Sequence, residues 1–301
     1  METYASWNAM SNSMNHKLMN YFQFYKFMLA AMVFCLAGRW SAAQAPDNRI
    51  AVPLSDSTRP ASVRAHLLNG SITVKGGDVK EVVVEARSRH DDGRHEGRSE
   101  GRAEGMKRIP MTSTGLNIEA ENNQVRISAD SVSRTVDLVI TVPVHTSLSL
   151  HTVNDGNISV TGVDGELDVN DVNGEVDLKN IGGSVVAHAL NGHVVATFNR
   201  LDPQKSMAFS SLNGDIDVTF PPDLKATVSL RTDNGEVFSD FDIKLQPTTS
   251  QQTVEDDRGK GGKYRVKVEK TMKGTINGGG QDIQFKNFNG NIYIRKTGAR
   301  Q

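Results

Sequence analysis

The sequence predicts an all-β protein, a parallel β-helix or β-solenoid of short strands with Asn-Gly corners, preceded by a signal peptide. Three observations carry that prediction. Gly156, Gly165, Gly174, Gly183 and Gly192 fall nine residues apart. After each glycine, apolar residues stand at the second and fourth places, as in Ile158/Val160, Leu167/Val169, Val176/Leu178, Val185/Ala187 and Val194/Ala196. Mostly polar residues lie between them, which is the period-two pattern of a strand with one buried face. The third observation is an asparagine before the glycine, in Asn69-Gly70, Asn173-Gly174, Asn191-Gly192, Asn213-Gly214, Asn234-Gly235 and Asn289-Gly290. A fixed repeat of one short strand means a stacked, quasi-one-dimensional fold.

The chain opens with a segment of another kind. Phe27 to Ala37 is an apolar run preceded by Lys17 and Lys26 and followed by Ser41-Ala42-Ala43-Gln44-Ala45. A positive flank, a short apolar core and a small-residue end make a secretory signal peptide, assigned to residues 1–43 with a long head. The run is shorter than the roughly 20 residues of a membrane span, so no stable span is expected after cleavage. Cys35, the only cysteine, lies inside this run behind Met32 and Phe34, which is not a lipidation pattern. The mature chain then has no thiol or disulfide chemistry. A net charge of −1 steers nothing toward nucleic acid.

Residues 44–61 read as a lead-in containing Pro53 and Pro60, and 62–295 as the solenoid. Leu68 to Val74 carries the first Asn-Gly unit, and Glu81 to Ala86 a further strand. Residues 87–108 are a low-complexity run of Arg, Glu, Gly and His, expected to be a disordered insert because it has almost no apolar side chain to bury. His90, Asp91, Asp92, His95 and Glu96 have metal-ligand chemistry but lack rigid support, so no metal site is assigned. Strands resume at 116–120, 125–127 and 136–142. Val142-Pro143 to Thr152 is echoed by Phe220-Pro221 to Thr232, each copy leading into a glycine turn at Gly156 and Gly235. Wider glycine gaps from 192 to 214 and 235 hold strands with no glycine of their own, so the working coil is two strands, 18 to 22 residues. Residues 246–263 read as a loop and 264–269 as a strand. Strands at 282–285 and 288–294 are expected to close the stack, with 296–301 a tail.

Asn-Gly between alternating strands is also a hairpin signal, so a β-meander is the competing topology. The solenoid is preferred because Leu68, Val172, Leu190, Leu212 and Phe288 share parity with the apolar residues after the glycine, as if one face ran around the corner. The recurrent asparagines suit corners in which amides bond from rung to rung, with glycine supplying positive φ.

Repeated N-G-x-[IV]-x-[VL] units, a V-P lead-in with its F-P copy and a late Gly-rich turn resemble the bacterial family of proposed adhesins known as DUF4097, over roughly residues 62–295. That resemblance implies a β-helix-like, exported or envelope-associated protein with no established catalytic residues.

Candidate sites are few. Calcium-binding nonapeptide repeats need aspartate two places after the glycine, where this chain has Ile158, Leu167, Val176, Val185 and Val194, so neither metal nor cofactor is expected. With an 18 to 22 residue coil, Glu175, His193 and Asp215 form one column, which is the constellation closest to acid/base machinery; Asp177, Val195 and Asp217 form the next. Solvated sheet faces produce such columns routinely, and the expectation is no enzyme. Phe238, Tyr293, Val186 and Val195 read as an exposed apolar strip, and His145, His151, His188 and His193 as surface residues. The expected protein is a non-enzymatic binding or adhesion protein in the periplasm or on the cell surface, engaging a protein or glycan of the envelope. A periplasmic stress or regulatory scaffold and a carbohydrate-active β-helix enzyme are the alternatives.

Overall fold

The computed structural model describes residues 49–89, 115–129, 135–246, 251–256, 264–269 and 271–298, with side chains left aside for 251–256 and 264–269. The signal-peptide assignment and most of the charged insert, from 90 to 108, lie outside these residues. The described strands, in chain order, are β1 (Arg49–Pro53), β2 (Ala61–Asn69), β3 (Ile72–Gly77), β4 (Glu81–Arg89), β5 (Leu116–Glu121), β6 (Gln124–Ala129), β7 (Thr135–Pro143) and β8 (Thr146–Asn154). They continue with β9 (Ile158–Thr161), β10 (Asp164–Asp171), β11 (Val176–Ala189), β12 (Val194–Phe198), β13 (Met207–Asn213), β14 (Ile216–Phe220) and β15 (Ala226–Asn234). The last are β16 (Val237–Ser239), β17 (Ile243–Leu245), β18 (Gln251–Asp256), β19 (Tyr264–Glu269), β20 (Met272–Ile276), β21 (Gln281–Asn289) and β22 (Ile292–Lys296).

The register resolves the solenoid. Each coil places one strand in a first face, turns at a corner, and places the next strand in a second face. Ile158 pairs with Val176, Val176 with Val194, and Val194 with Ile216, all parallel, giving steps of 18, 18 and 22 residues. The nine-residue repeat is therefore half a coil. Gly156, Gly174 and Gly192 stack at one corner, whereas Gly165 pairs with Gly183 at the opposite one. Among the described strands β11 alone spans that opposite corner, pairing with β12 through Val176 to Ile181 and with β10 from Gly182 onward.

Stack order departs from chain order at both ends. β2/β3 lies between β6/β7 and β8/β9. Likewise β21/β22 lies between β13/β14 and β15/β16. The strands expected to close the stack are thus its next-to-last rung. Antiparallel strands finish the faces: β4 and then β1 on β7, β5 on β6, and β20 and then β17 on β15. The lead-in accordingly contains a strand, β1, and the charged run contributes Arg87 to Arg89 to β4. The loop expected at 246–263 contains β18, which pairs antiparallel with β19. Lys296, placed in the tail, ends β22, and its N–H is held by Asp240.

The core sits between the two faces. Val, Ile and Leu fill it through the first rungs, and Phe198, Phe209, Phe220 and Phe285 fill the later ones, stacked or edge-on with centroids 5.3 to 6.5 Å apart. Such ring pairs add to the area they bury. The parity expected at the corners is different. Leu67 is buried but Leu68 is only partly so, and Leu212 and Phe288 are exposed at 38% and 44%. The inward residue stands three places before the glycine, because the chain must turn outward there to bring asparagine to the surface.

Candidate functional site

The corner asparagines form a continuous ladder. Asn154 donates to Asn69 Oδ1 (3.3 Å), Asn173 to Asn154 (3.0 Å), Asn191 to Asn173 (2.9 Å) and Asn213 to Asn191 (2.8 Å). Asn289 donates to Asn213 (2.8 Å) and Asn234 to Asn289 (2.9 Å), in stack order rather than chain order. An amide suits this chemistry because it both donates and accepts. Glycine follows for lack of space more than for φ. A Cβ on Gly174 would lie 2.0 Å from Gly156 O, and one on Gly192 would lie 2.0 Å from Gly174 O. Among the corner glycines Gly70, Gly183 and Gly290 have positive φ, but Gly156, Gly165, Gly174, Gly192, Gly214 and Gly235 do not.

Glu175, His193 and Asp215 do share a column, in which the side chains of His193 and Asp215 cap backbone N–H groups. Asn157 Oδ1 accepts from the Glu175 N–H (3.0 Å) and His193 Nδ1 from the Asp215 N–H (2.9 Å). Asp215 Oδ1 accepts from the Asn291 N–H (2.8 Å), and Asn291 Oδ1 from the Glu236 N–H (2.9 Å). Each bond satisfies a donor that the turn leaves unpaired. His193 and Asp215 each commit one side-chain atom to this backbone bonding. At the other end of this corner Asp137 Oδ1 takes the Ser71 N–H (3.0 Å). Burial alone would raise the Asp137 pKa, but Arg89, donating through Nε at 2.6 Å, and the Ser71 N–H together hold it below the usual carboxylate range. Among the described residues no group of three His, Cys, Asp or Glu side chains converges on a metal-sized space.

The expected apolar strip is divided. Val195, Asp217, Tyr293 and Phe238 form one column, with Phe238 stacked on Tyr293 at 5.2 Å, but Val186 is on the opposite face beside Asp168.

A more promising concavity lies on the outer side of the face formed by β5, β6, β2 and β8. It is a shallow groove of about 330 Å³ lined by Arg64, His66, Asn117, Glu119, Arg126, Ser149 and His151, among others. Strand alternation explains the set: Val63, Ala65 and Leu67 point inward, so Arg64 and His66 point out. Two columns result. One runs Glu119, Arg126, Arg64, Ser149, Asp168, and the other runs Asn117, Ser128, His66, His151, Asn170, His188. His66 and His151 are stacked at 4.8 Å, and His188 Nδ1 lies 2.7 Å from Ser210 Oγ further along. Partial burial, then the neighbouring His66, lower the His151 pKa, against a smaller opposite pull from Asp168. Arg126 stands beside Arg64 across the parallel β6–β2 pair and opposite Glu119 across the antiparallel β5–β6 pair, so its Arg64 side is a like-charge contact. Of these residues only His151 and His188 stood out in the sequence, and there as ordinary surface. Arg64 and Arg126 are 62 residues apart and become neighbours only because β2 inserts beside β6.

The family model of Toastrack DUF4097 matches residues 42–278. The chain belongs to this family. Two solved structures are similar to this Toastrack chain: a proposed cell adhesion protein from Clostridium sporogenes and a proposed adhesin from Bacteroides fragilis. The first is 11% identical, with 83% of this chain and 99% of that one covered and a TM-score of 0.41. The second is 11% identical, with 82% and 95% covered and a TM-score of 0.36. No curated protein matches this Toastrack chain.

Proposed function

We propose that this chain is a non-enzymatic binding protein, exported to the cell envelope, that holds an acidic glycan along the groove of β5, β6, β2 and β8. The observation that carries the reading is the pairing of Arg126 with Arg64 beside the stacked His66 and His151. Adjacent guanidinium groups repel, and a carboxylate, sulfate or phosphate between them removes that cost while accepting charge-assisted hydrogen bonds. The groove is shallow and its histidine column continues past β8 through Asn170 to His188, which suits a linear polymer better than an enclosed small molecule. In the corner column that most resembled a catalytic one, His193 Nδ1 and Asp215 Oδ1 are occupied with backbone N–H groups, which supports binding over turnover.

The test is binding to immobilised acidic and neutral polysaccharides across a salt series. Wild-type protein is expected to bind the acidic polymers, more weakly as salt rises. Arg64→Ala with Arg126→Ala is expected to lower affinity about tenfold or more, since each charge-assisted bond is worth roughly 1.5–3 kcal/mol. Glu175→Ala is expected to leave binding unchanged. Equal, salt-independent binding to neutral polymers would overturn the reading.

A further inference from the structure

Behind the asparagine ladder runs a second column, inside the core. Its members, in stack order, are Leu67, Thr152, Asp171, Ala189, Ser211, Asn287 and Thr232. Four of them perform one task. Thr152 Oγ1 donates to Gly70 O (2.9 Å), Ser211 Oγ to Gly192 O (2.9 Å), Asn287 Nδ2 to Gly214 O (2.8 Å) and Thr232 Oγ1 to Gly290 O (3.0 Å). In each case the side chain reaches back one rung to the carbonyl of a corner glycine.

Asp171 occupies the same place in its rung, and the equivalent acceptor is Gly156 O. It is completely buried, at 0% exposure, and neither carboxyl oxygen completes a hydrogen bond among the described residues. A Cβ built on Gly174 would lie 2.0 Å from Gly156 O and 2.8 Å from Asp171 Oδ2, so the two oxygens line one small space. Two acceptor oxygens there repel unless one of them carries a proton. We infer that Asp171 is held as a carboxylic acid that donates to the Gly156 carbonyl, making this rung a joint that tightens in acid and loosens in alkali.

The surroundings agree. β8 and β11 flank β10 and offer Thr152 and Ala189, neither of them charged. The ionisable groups of these strands, His151 on β8, Asp164, Glu166 and Asp168 on β10, and Asp177, Lys179 and His188 on β11, are all at least partly exposed, as are Asp155 and Glu175 at the corners. Burial raises the Asp171 pKa to about 7, against a smaller downward pull from the backbone N–H groups of Asn173 and Gly174. Those two groups approach the carboxyl without completing a bond to it. The sign follows from linkage. The folded state keeps a proton that the unfolded chain releases near its ordinary value of 3.8, so stability is greatest below that value and falls as pH rises toward 7. Above that the penalty is constant.

The experiment compares thermal unfolding of the wild type and Asp171→Asn between pH 5 and 9, alongside ¹³C NMR of the Asp171 carboxyl in the wild type. Asparagine keeps the shape and can donate as Asn287 does, without titrating. The wild-type melting temperature is expected to fall from pH 5 to 7.5, and that of Asp171→Asn to lack this component and to exceed the wild type at pH 8. The carboxyl resonance is expected to titrate well above the ordinary aspartate range. Asp171→Ser, copying Ser211, gives the same comparison if the asparagine variant does not fold. A carboxyl that titrates near 4, or equal pH slopes in wild type and variant, would overturn the inference.

Discussion

At the residue scale, the corner shows two kinds of requirement, one for a side chain and one for its absence. Asn191 both donates to Asn173 and accepts from Asn213. Asn191→Ala is expected to cost about 1–2 kcal/mol in denaturant unfolding, the worth of two partly exposed bonds. Gly192→Ala is expected to cost more, at least ~2 kcal/mol, because the added methyl meets backbone rather than a movable side chain. A Gly192→Ala protein as stable as wild type would show that the rungs can separate at little cost. These positions were legible in the sequence because the corner is local: asparagine, glycine and the alternation after them sit within seven residues. Asp171 was not. Between Val169 and Val172 it reads as one more polar residue, and only the register, which sets it among Thr152, Ala189 and Ser211, shows that it faces the core.

At the scale of elements, strands and coil length were legible and the order of the rungs was not. Period-two alternation reports which face is buried, and it reports this for β21 and β22 as clearly as for β9. It says nothing about which strand lies beside which. Chain order is the natural assumption for a solenoid, and it is correct from β8 to β14. It fails for β2/β3 and β21/β22, and the groove was lost with it, since Arg126 and Arg64 meet across one of the inserted pairs. The insertion has a measurable outcome. In a sequential solenoid a terminal coil can be trimmed and the rest keeps its contacts. Here removal of residues 281–301 would leave β13/β14 and β15/β16 without the rung that joins them. That truncation is expected to expose Phe209, Phe220 and Val228 and to yield protease cleavage between β14 and β20. A truncated protein with undiminished unfolding cooperativity would contradict this.

At the scale of the whole molecule, the pairing of first and last rungs with distant neighbours implies slow folding. β2 must wait for β6 and β8, and β15 gains its parallel partner only when β21 arrives, some 50 residues later. Contacts of such separation require costly loop closure before they stabilise anything. Refolding from denaturant is expected to be slower than that of a sequential repeat array of similar length, as followed by the signal of the buried phenylalanine cluster.

The same insertion governs how the molecule would bear a load. A terminal strand at the margin of a sheet peels away one bond at a time under tension. β22 is instead clasped on both sides, by β14 and β16, and β2 by β6 and β8. A pull on the chain beyond β22 therefore strains two ladders together before any strand is released. The strand nearest that end is held where an edge strand would unravel.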